Sequence, residues 1–323
     1  MAAPAVALER KRKAPGMKPG RFRDVLECYL FLVPYLLLFS VFVIGPVTYG
    51  FYISLHDYHV LSTHRPFVGF ANYAGALHDD LFLKSLINTA YFAVMVVPLG
   101  NLISLLLALG ICKEGRLTTF FRSAFYLPVV ISVAVVAVLW QWLYSTQWGL
   151  INYYLDAGAE ALRQLPLLGA HIPAYTPIPW LSSPRFAMAS IALLSMWWGA
   201  GGNMIVYLAG LQAIPETYYE AATLDGANSW QRFWSVTWPQ LRPTLLFCLV
   251  LSVIGAFQVF GQVMVLTRGG PDFSTYTMVL YLYLTGFSLY KMGYACAVAY
   301  LLFLVVLVFT LLQFRLLSFK EVD

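Results

Sequence analysis

The chain has 323 residues, 60% of them hydrophobic and only 11% charged, with a formal net charge of +5 and a mean hydropathy of +0.71. A soluble domain carries about a quarter charged residues and about half apolar ones, so a soluble globular fold is excluded. Seven windows contain no Asp, Glu, Lys or Arg: Cys28–His56, Ser85–Cys112, Ser123–Leu155, Phe186–Pro215, Pro243–Thr267, Phe273–Tyr290 and Met292–Phe314. A helix needs about 20 mostly apolar residues to cross the hydrocarbon layer of a membrane, and most of these windows are long enough.

The chain opens on a basic arm, residues 1–27, with "ERKRKAPGMKPGRFR" as its charged part. Such an arm reads as a topology signal near anionic lipid. The apolar run after it is too long for a cleavable signal peptide, and the net charge needs no nucleic-acid partner. A membrane domain, residues 28–323, follows. Six spans are predicted at about 28–54, 85–111, 120–143, 186–211, 243–266 and 292–315. Pro34 and Pro46 fall in the first, where neighbouring groups can satisfy the freed carbonyls.

An outer loop at about 56–80 contains "FVGFANY" and most of the histidines. "CKEGR" makes a short inner turn after span two, and "LWQWLYSTQW" marks an outer interface at the end of span three. The Pro-rich stretch 144–183 is predicted to be a structured or capping loop. The window Phe273–Tyr290 is 18 residues long and rich in Tyr, Ser and Thr. It reads as an interfacial or pore-side helix, with a seventh span as the alternative. Six spans with the N-terminus inside put 14 of the 20 Lys and Arg residues on the cytoplasmic side, so both termini are expected there. The fold class is therefore all-α, a polytopic membrane protein.

Absences narrow the chemistry. No Lys follows a Gly, so the phosphate-binding loop ending Gly-Lys-Ser/Thr is missing from the sequence. No charged residue lies deep in a predicted span, which argues against a proton-coupled secondary transporter. The histidines His56, His59, His64, His78 and His171 lack metal-site spacing, and Cys28, Cys112, Cys248 and Cys296 are dispersed without a C-x-x-C pair. No catalytic residue, metal site or cofactor is predicted. What the spans do hold is neutral and aromatic. Span four carries Trp198, Asn203 and Tyr207 in "SMWWGAGGNMIVYLAG", and span five carries Gln258 and Gln262 in "SVIGAFQVFGQVMVL". Four residues apart, the two glutamines are expected on one helix face. Amides beside aromatic faces suit an uncharged polyhydroxylated solute, and the same amides would also serve simply to hold helices together.

The interval 213–240 is different, because Glu216, Glu220, Asp225 and Arg232 gather there. Pro215 suits a helix start. Glu216 and Glu220 form a like-charge i, i+4 pair, reasonable only if a basic partner faces it. Gly226 is expected to break this helix, and "NSWQ" offers a cap, Asn228 or Ser229, with Gln231 reaching back. Trp230, Phe233, Trp234 and Thr237 then fall on one side of a second short helix, expected to hold the segment to the bundle until Pro239 ends it. This is a cytoplasmic helix-turn-helix.

"EAATLDGANSWQRFWSVTWPQLRP" resembles the coupling motif of ABC-importer permeases, with Trp238-Pro239 in place of the commoner Leu-Pro. "YLAGLQAIPETYYEAATLDGAN", "TRGGP", "FVGFANY", "INTAYFAV", "FRSAFYLPVVIS" and "KMGYACAVAYLL" resemble the carbohydrate branch, the maltose-type and glycerol-3-phosphate-type permeases. The resemblance covers residues from about 28 onward. It implies a sugar-import pathway in a bacterial or archaeal cell (inner) membrane, built with a second homologous permease. Two cytoplasmic ABC ATPase subunits, which bind ATP and Mg, and an extracytoplasmic solute-binding protein would complete the assembly. It further implies that Glu220, Ala221, Ala222, Asp225, Gly226 and Pro239 couple to the ATPase. A stand-alone secondary transporter or channel is the competing reading.

Overall fold

In the computed structural model the described residues are 21–112, 115–164 and 174–317. Most of the basic arm, Lys113 and His171 lie outside them. The chain divides into two compact units between Tyr52 and Ile53. In the first, α1 (Arg21–Phe39) runs through a wide π turn, Ser40–Ile44, into α2 (Gly45–Ser54), whose last two residues fall in the second unit. The Gly45 N–H reaches back to the Ser40 carbonyl, five residues earlier. Pro46 follows at once. Having no N–H, a proline cannot bond the carbonyl four residues before it, and its ring presses on that turn; one extra residue in the turn relieves both.

The second unit contains α3 (Ala71–Leu77), α4 (Asp80–Gly110), α5 (Arg116–Val130), α6 (Val133–Leu143), α7 (Leu150–Arg163) and α8 (Pro184–Gln212). It continues with α9 (Glu216–Leu224), α10 (Ser229–Arg232), α11 (Trp238–Phe257), α12 (Gly261–Leu266), α13 (Met278–Tyr283) and α14 (Met292–Leu317). Among the described residues, five helical stretches are long and apolar enough to cross a membrane, and α5 with α6 makes a sixth if the bent pair is one span. The Tyr-rich segment forms only the short helix Met278–Ser288, as its length predicts.

α4 is the central element. Its N-cap Asp79 accepts from Leu81 N at 2.8 Å, and its length packs chiefly on α8, with α11 alongside. Phe82, Phe92, Ile191, Leu194, Val263 and Leu280 form the main core, and Met204, Tyr207, Leu208, Leu241 and Cys248 a second one. Small residues set the closest approaches. A Cβ on Gly201 of α8 would collide with the backbone of Phe125 on α5, and one on Gly210 would lie 2.6 Å from Thr244 Oγ1 of α11. Helix association in a membrane depends on such contacts, since lipid is as apolar as the core.

Three expectations change. Predicted span three, about 120–143, is not one straight helix: α5 and α6 meet at 97°. Ile131 is extended at φ −77°, ψ 136°, three residues after Pro128, and its freed carbonyl accepts from Trp198 Nε1 at 3.1 Å. Pro239 does not stop its helix. The π turn Phe233–Thr237 directly precedes it, with Trp238 N–H on the Phe233 carbonyl, and α11 runs on. This repeats the device seen before Pro46. Finally, the aromatic face is not buried within the chain: Trp230 is 69% exposed and Trp234 47%, while only Thr237 is buried. Trp230, Phe233, Trp234 and Trp238 instead pack against one another, mostly edge-on or tilted, with ring centroids 5.2–6.3 Å apart.

The connection between α6 and α8 is ordered around one amide. Buried Asn152 accepts at Oδ1 from Tyr175 Oη (2.7 Å), Trp180 Nε1 (3.0 Å) and Ile178 N (3.2 Å). Its Nδ2 donates to the carbonyls of Thr146 and Ile178. The structured loop expected at 144–183 takes this form in its described part.

Candidate functional site: a neutral cleft and an exposed acidic helix

A cleft of about 270 Å³ opens between α4, α8 and α11–α12. Its polar lining comes from Asn101 and Ser104 on α4, Ser195 and Asn203 on α8, Ser252 on α11 and Gln262 on α12, with Trp198 beside them. No ionisable side chain lines it. Asn101 organises one end. Its Nδ2 donates to the Val97 carbonyl (2.7 Å) and to Ser252 Oγ (3.0 Å), and its Oδ1 accepts from Tyr207 Oη at 2.8 Å. Asn203 Nδ2 donates to Ser252 Oγ at 2.9 Å. Gln262 Nε2 reaches Ser195 Oγ at 3.4 Å at the other end. Buried amides and hydroxyls are costly unless paired, and this network pairs them while leaving their remaining bonding capacity toward the cleft.

The five residues expected to share a pathway separate here. Trp198, Asn203 and Gln262 line the cleft. Tyr207 is fully buried and meets it only through Asn101. Gln258 does not join them. α11 ends at Phe257, Gln258 caps it at φ −99°, ψ 13°, and α12 begins anew at Gly261. Gln258 is exposed and Gln262 buried, so the two glutamines do not share a continuous helix face. Asn101 and Ser252 were missed by sequence reasoning; the available signal was an amide and a hydroxyl inside charge-free windows.

The acidic segment follows α8 directly. α9 closes in a Schellman arrangement, Gly226 N–H on the Thr223 carbonyl (3.0 Å) and Ala227 N–H on the Ala222 carbonyl (2.9 Å). Gly226 holds φ +78°, a region that a side chain disfavours. Asn228 then caps α10 with Gln231 in a reciprocal box, Gln231 N on Asn228 Oδ1 at 2.9 Å and Asn228 N on Gln231 Oε1 at 2.8 Å. Glu220, Ala221, Asp225 and Gly226 are exposed and Ala222 and Pro239 half-buried. Neither Glu216 nor Glu220 makes an ion pair among the described residues. Both line an open depression with Arg232, whose guanidinium is held by Thr223 Oγ1 (3.3 Å) and Ser229 Oγ (3.2 Å).

Residues 100–318 match the family described as the binding-protein-dependent transport system inner membrane component. The chain belongs to that family. The permease is 34% identical over 292 residues to a probable ABC transporter permease of Pyrococcus horikoshii, covering 90% of this chain and 95% of the relative. It is 32% identical to the trehalose/maltose transport system permease of Thermococcus litoralis, covering 93% and 97%, and 35% identical to the lactose transport system permease of Rhizobium radiobacter, covering 91% and 94%. Its fold matches a chain of a bacterial ABC transporter involved in the import of alginate, with a TM-score of 0.75 at 22% identity, covering 93% and 97%. The permease is thus a membrane-spanning transport component.

Proposed function

We propose that this permease is the pathway-forming subunit of an ATP-binding-cassette importer for a sugar or sugar-like solute, driven by separate ATPase subunits. One observation carries the reading. α8 is a single helix that supplies Trp198 and Asn203 to the neutral cleft, and its end at Gln212 leads after three residues into the exposed acidic α9. Solute site and coupling surface therefore hang on one rigid element.

In this reading the cleft residues Asn101, Trp198, Asn203 and Gln262 face the solute, offering neutral donors and acceptors to hydroxyls and an aromatic face to C–H groups. Glu220, with Asp225, docks on a basic groove of an ATPase subunit, while Ala221, Ala222 and Gly226 permit close approach and Pro239 follows the widened turn beneath. Two such ATPases supply ATP and Mg, and this chain holds no cofactor of its own. A second homologous permease completes the pathway, and an extracytoplasmic binding protein delivers the solute. Residues 1–27 form a cytoplasmic arm, 28–323 the membrane domain and 213–240 its coupling loop, with both termini in the cytoplasm of a bacterial or archaeal cell. The sugar relatives and the charge-free cleft support this assignment.

Glu220→Lys tests the coupling half: membrane insertion is retained, while solute-stimulated ATP hydrolysis by the reconstituted importer is lost. A wild-type rate in that variant would refute it. Asn203→Ala tests the pathway half, with uptake slowed or its half-saturation raised; unchanged uptake would make Asn203 a packing residue.

A further inference from the structure

A second cavity, about 400 Å³, lies where α6 turns into α7. It shares no lining residue with the cleft. Tyr144, which ends α6, donates from its hydroxyl to the Ser190 carbonyl near the start of α8 at 2.8 Å. α9 follows the opposite end of α8, and a 29-residue helix is about 43 Å long. If α9 faces the ATPases, this cavity is on the other side of the membrane.

Its composition is unlike a packing defect. Trp148, 79% exposed, and Tyr153 supply aromatic surface; Gln147 and Asp156 supply an amide and a carboxylate. None of these four side chains has a hydrogen-bond partner among the described residues. Tyr153 and Asp156 are three apart on α7 and so share a face. Beneath them the wall is fixed, because buried Asn152 spends both ends of its amide on Thr146, Tyr175, Ile178 and Trp180. A rigid floor with unpaired polar groups and exposed aromatic faces is a pre-organised site rather than a mobile surface.

We propose that this cup is a saccharide-binding subsite, at which Trp148 and Tyr153 stack on the apolar faces of a sugar ring while Asp156 and Gln147 accept and donate hydrogen bonds to its hydroxyls. Aromatic side chains pair an apolar face with little conformational entropy to lose, and hydrogen bonds to an ionised acceptor are the stronger kind. It would hold a ring of the solute before the ring reaches the cleft, so that an extended solute touches the chain at two points. The class of ligand rests on the import reading above; the cup's geometry does not.

The test uses the full chain in nanodiscs and saturation-transfer NMR with maltotriose, cellotriose and xylotriose. At least one trisaccharide is expected to receive transfer. Its affinity falls at least tenfold in Trp148→Ala and in Asp156→Asn, and persists in Trp148→Phe and in the cleft variant Asn203→Ala. No transfer from any of the three, or binding unchanged in both Trp148→Ala and Asp156→Asn, overturns the proposal. Binding lost only in Asn203→Ala also overturns it and leaves the import reading standing. Persistent binding at the cup together with unaltered uptake in Asn203→Ala has the opposite meaning: the cup stands and the cleft assignment falls. A cup that takes no sugar, but whose Trp148→Ala variant no longer docks the solute-binding protein, is a protein contact, and the proposal fails.

Discussion

Replacing Asn101 by Leu keeps the volume of the side chain and removes the acceptor at the centre of the cleft network. Tyr207 has no exposed surface, and Asn101 itself is only 4% exposed. Without Oδ1, the phenol hydroxyl that donates at 2.8 Å is left buried, and Asn101 no longer donates to Ser252 Oγ. An orphaned buried donor costs about 1–3 kcal/mol, whereas an interhelical hydrogen bond in a membrane averages about 0.6 kcal/mol. The larger figure applies because Leu offers the hydroxyl no acceptor and leaves it only the Cys248 thiol, a weak one. At about 2–4 °C per kcal/mol for chains of comparable size, the midpoint of unfolding in detergent falls by about 2–12 °C, read by scanning fluorimetry at one fixed scan rate. The diagnostic is the cycle with Tyr207→Phe. In the native background Tyr207→Phe lowers the midpoint; in the Asn101→Leu background it raises it, since the orphan is gone. Additive losses in the double variant refute the reasoning.

Gly201→Val drives a branched side chain into the backbone of Phe125; α5 and α8 must part, and the monodisperse peak in detergent is expected to shrink severely, while Gly199→Ala, which meets nothing within 4 Å, leaves it intact. Gly226→Ala keeps φ +78° at a cost of about 1–2 kcal/mol, so amides of residues 216–232 exchange about tenfold faster or more with deuterium while those of α4 are unchanged; equal exchange at both would refute the strain. Asp79 accepts from Tyr281 Oη (2.7 Å) and Tyr294 Oη (3.0 Å). Burial raises its pKa, but the hydroxyl of Tyr281, the Leu81 N–H and the Tyr294 hydroxyl outweigh it and hold the carboxyl below its ordinary range. The stabilisation is therefore complete above the ordinary Asp value of about 3.9 and is lost as pH falls through the lower folded value. Between about pH 5 and pH 2 the wild-type unfolding midpoint should fall more steeply than that of Asp79→Asn; parallel slopes would refute it.

Charge-free windows located the spans because the membrane forbids unpaired charges over about 20 residues, and that constraint needs no tertiary knowledge. The acidic helix-turn-helix was legible for a local reason: Gly226, Asn228 and Gln231 act within a few residues of themselves. The failures share a different cause. The bend at Ile131–Ser132 depends on Trp198, 67 residues away, accepting responsibility for one carbonyl. Pro239 was read as a stop because a proline's effect depends on the turn before it, and a π turn carries no composition signal. Gln258 and Gln262 satisfy the helical spacing that the break at Val259–Phe260 annuls. Trp230 and Trp234 form an apolar face, but periodicity names a face without naming what covers it. Asn101 was silent for the simplest reason: a single amide, thirteen residues from the other one on its helix, has no pattern.

The continuity of α8 has a mechanical consequence. A continuous helix of about 43 Å is a lever, and a tilt of only 5° sweeps its far tip through about 4 Å, close to one residue's length of extended chain. Because the helix bearing Trp198 and Asn203 has no internal break, a push at its Gln212 end, as the proposed coupling requires, would not be absorbed along the way. Compliance must come from the corners that abut it, at Ile131–Ser132 and Gln258–Phe260, so stiffening those two corners would jam the stroke without touching either end of the rod.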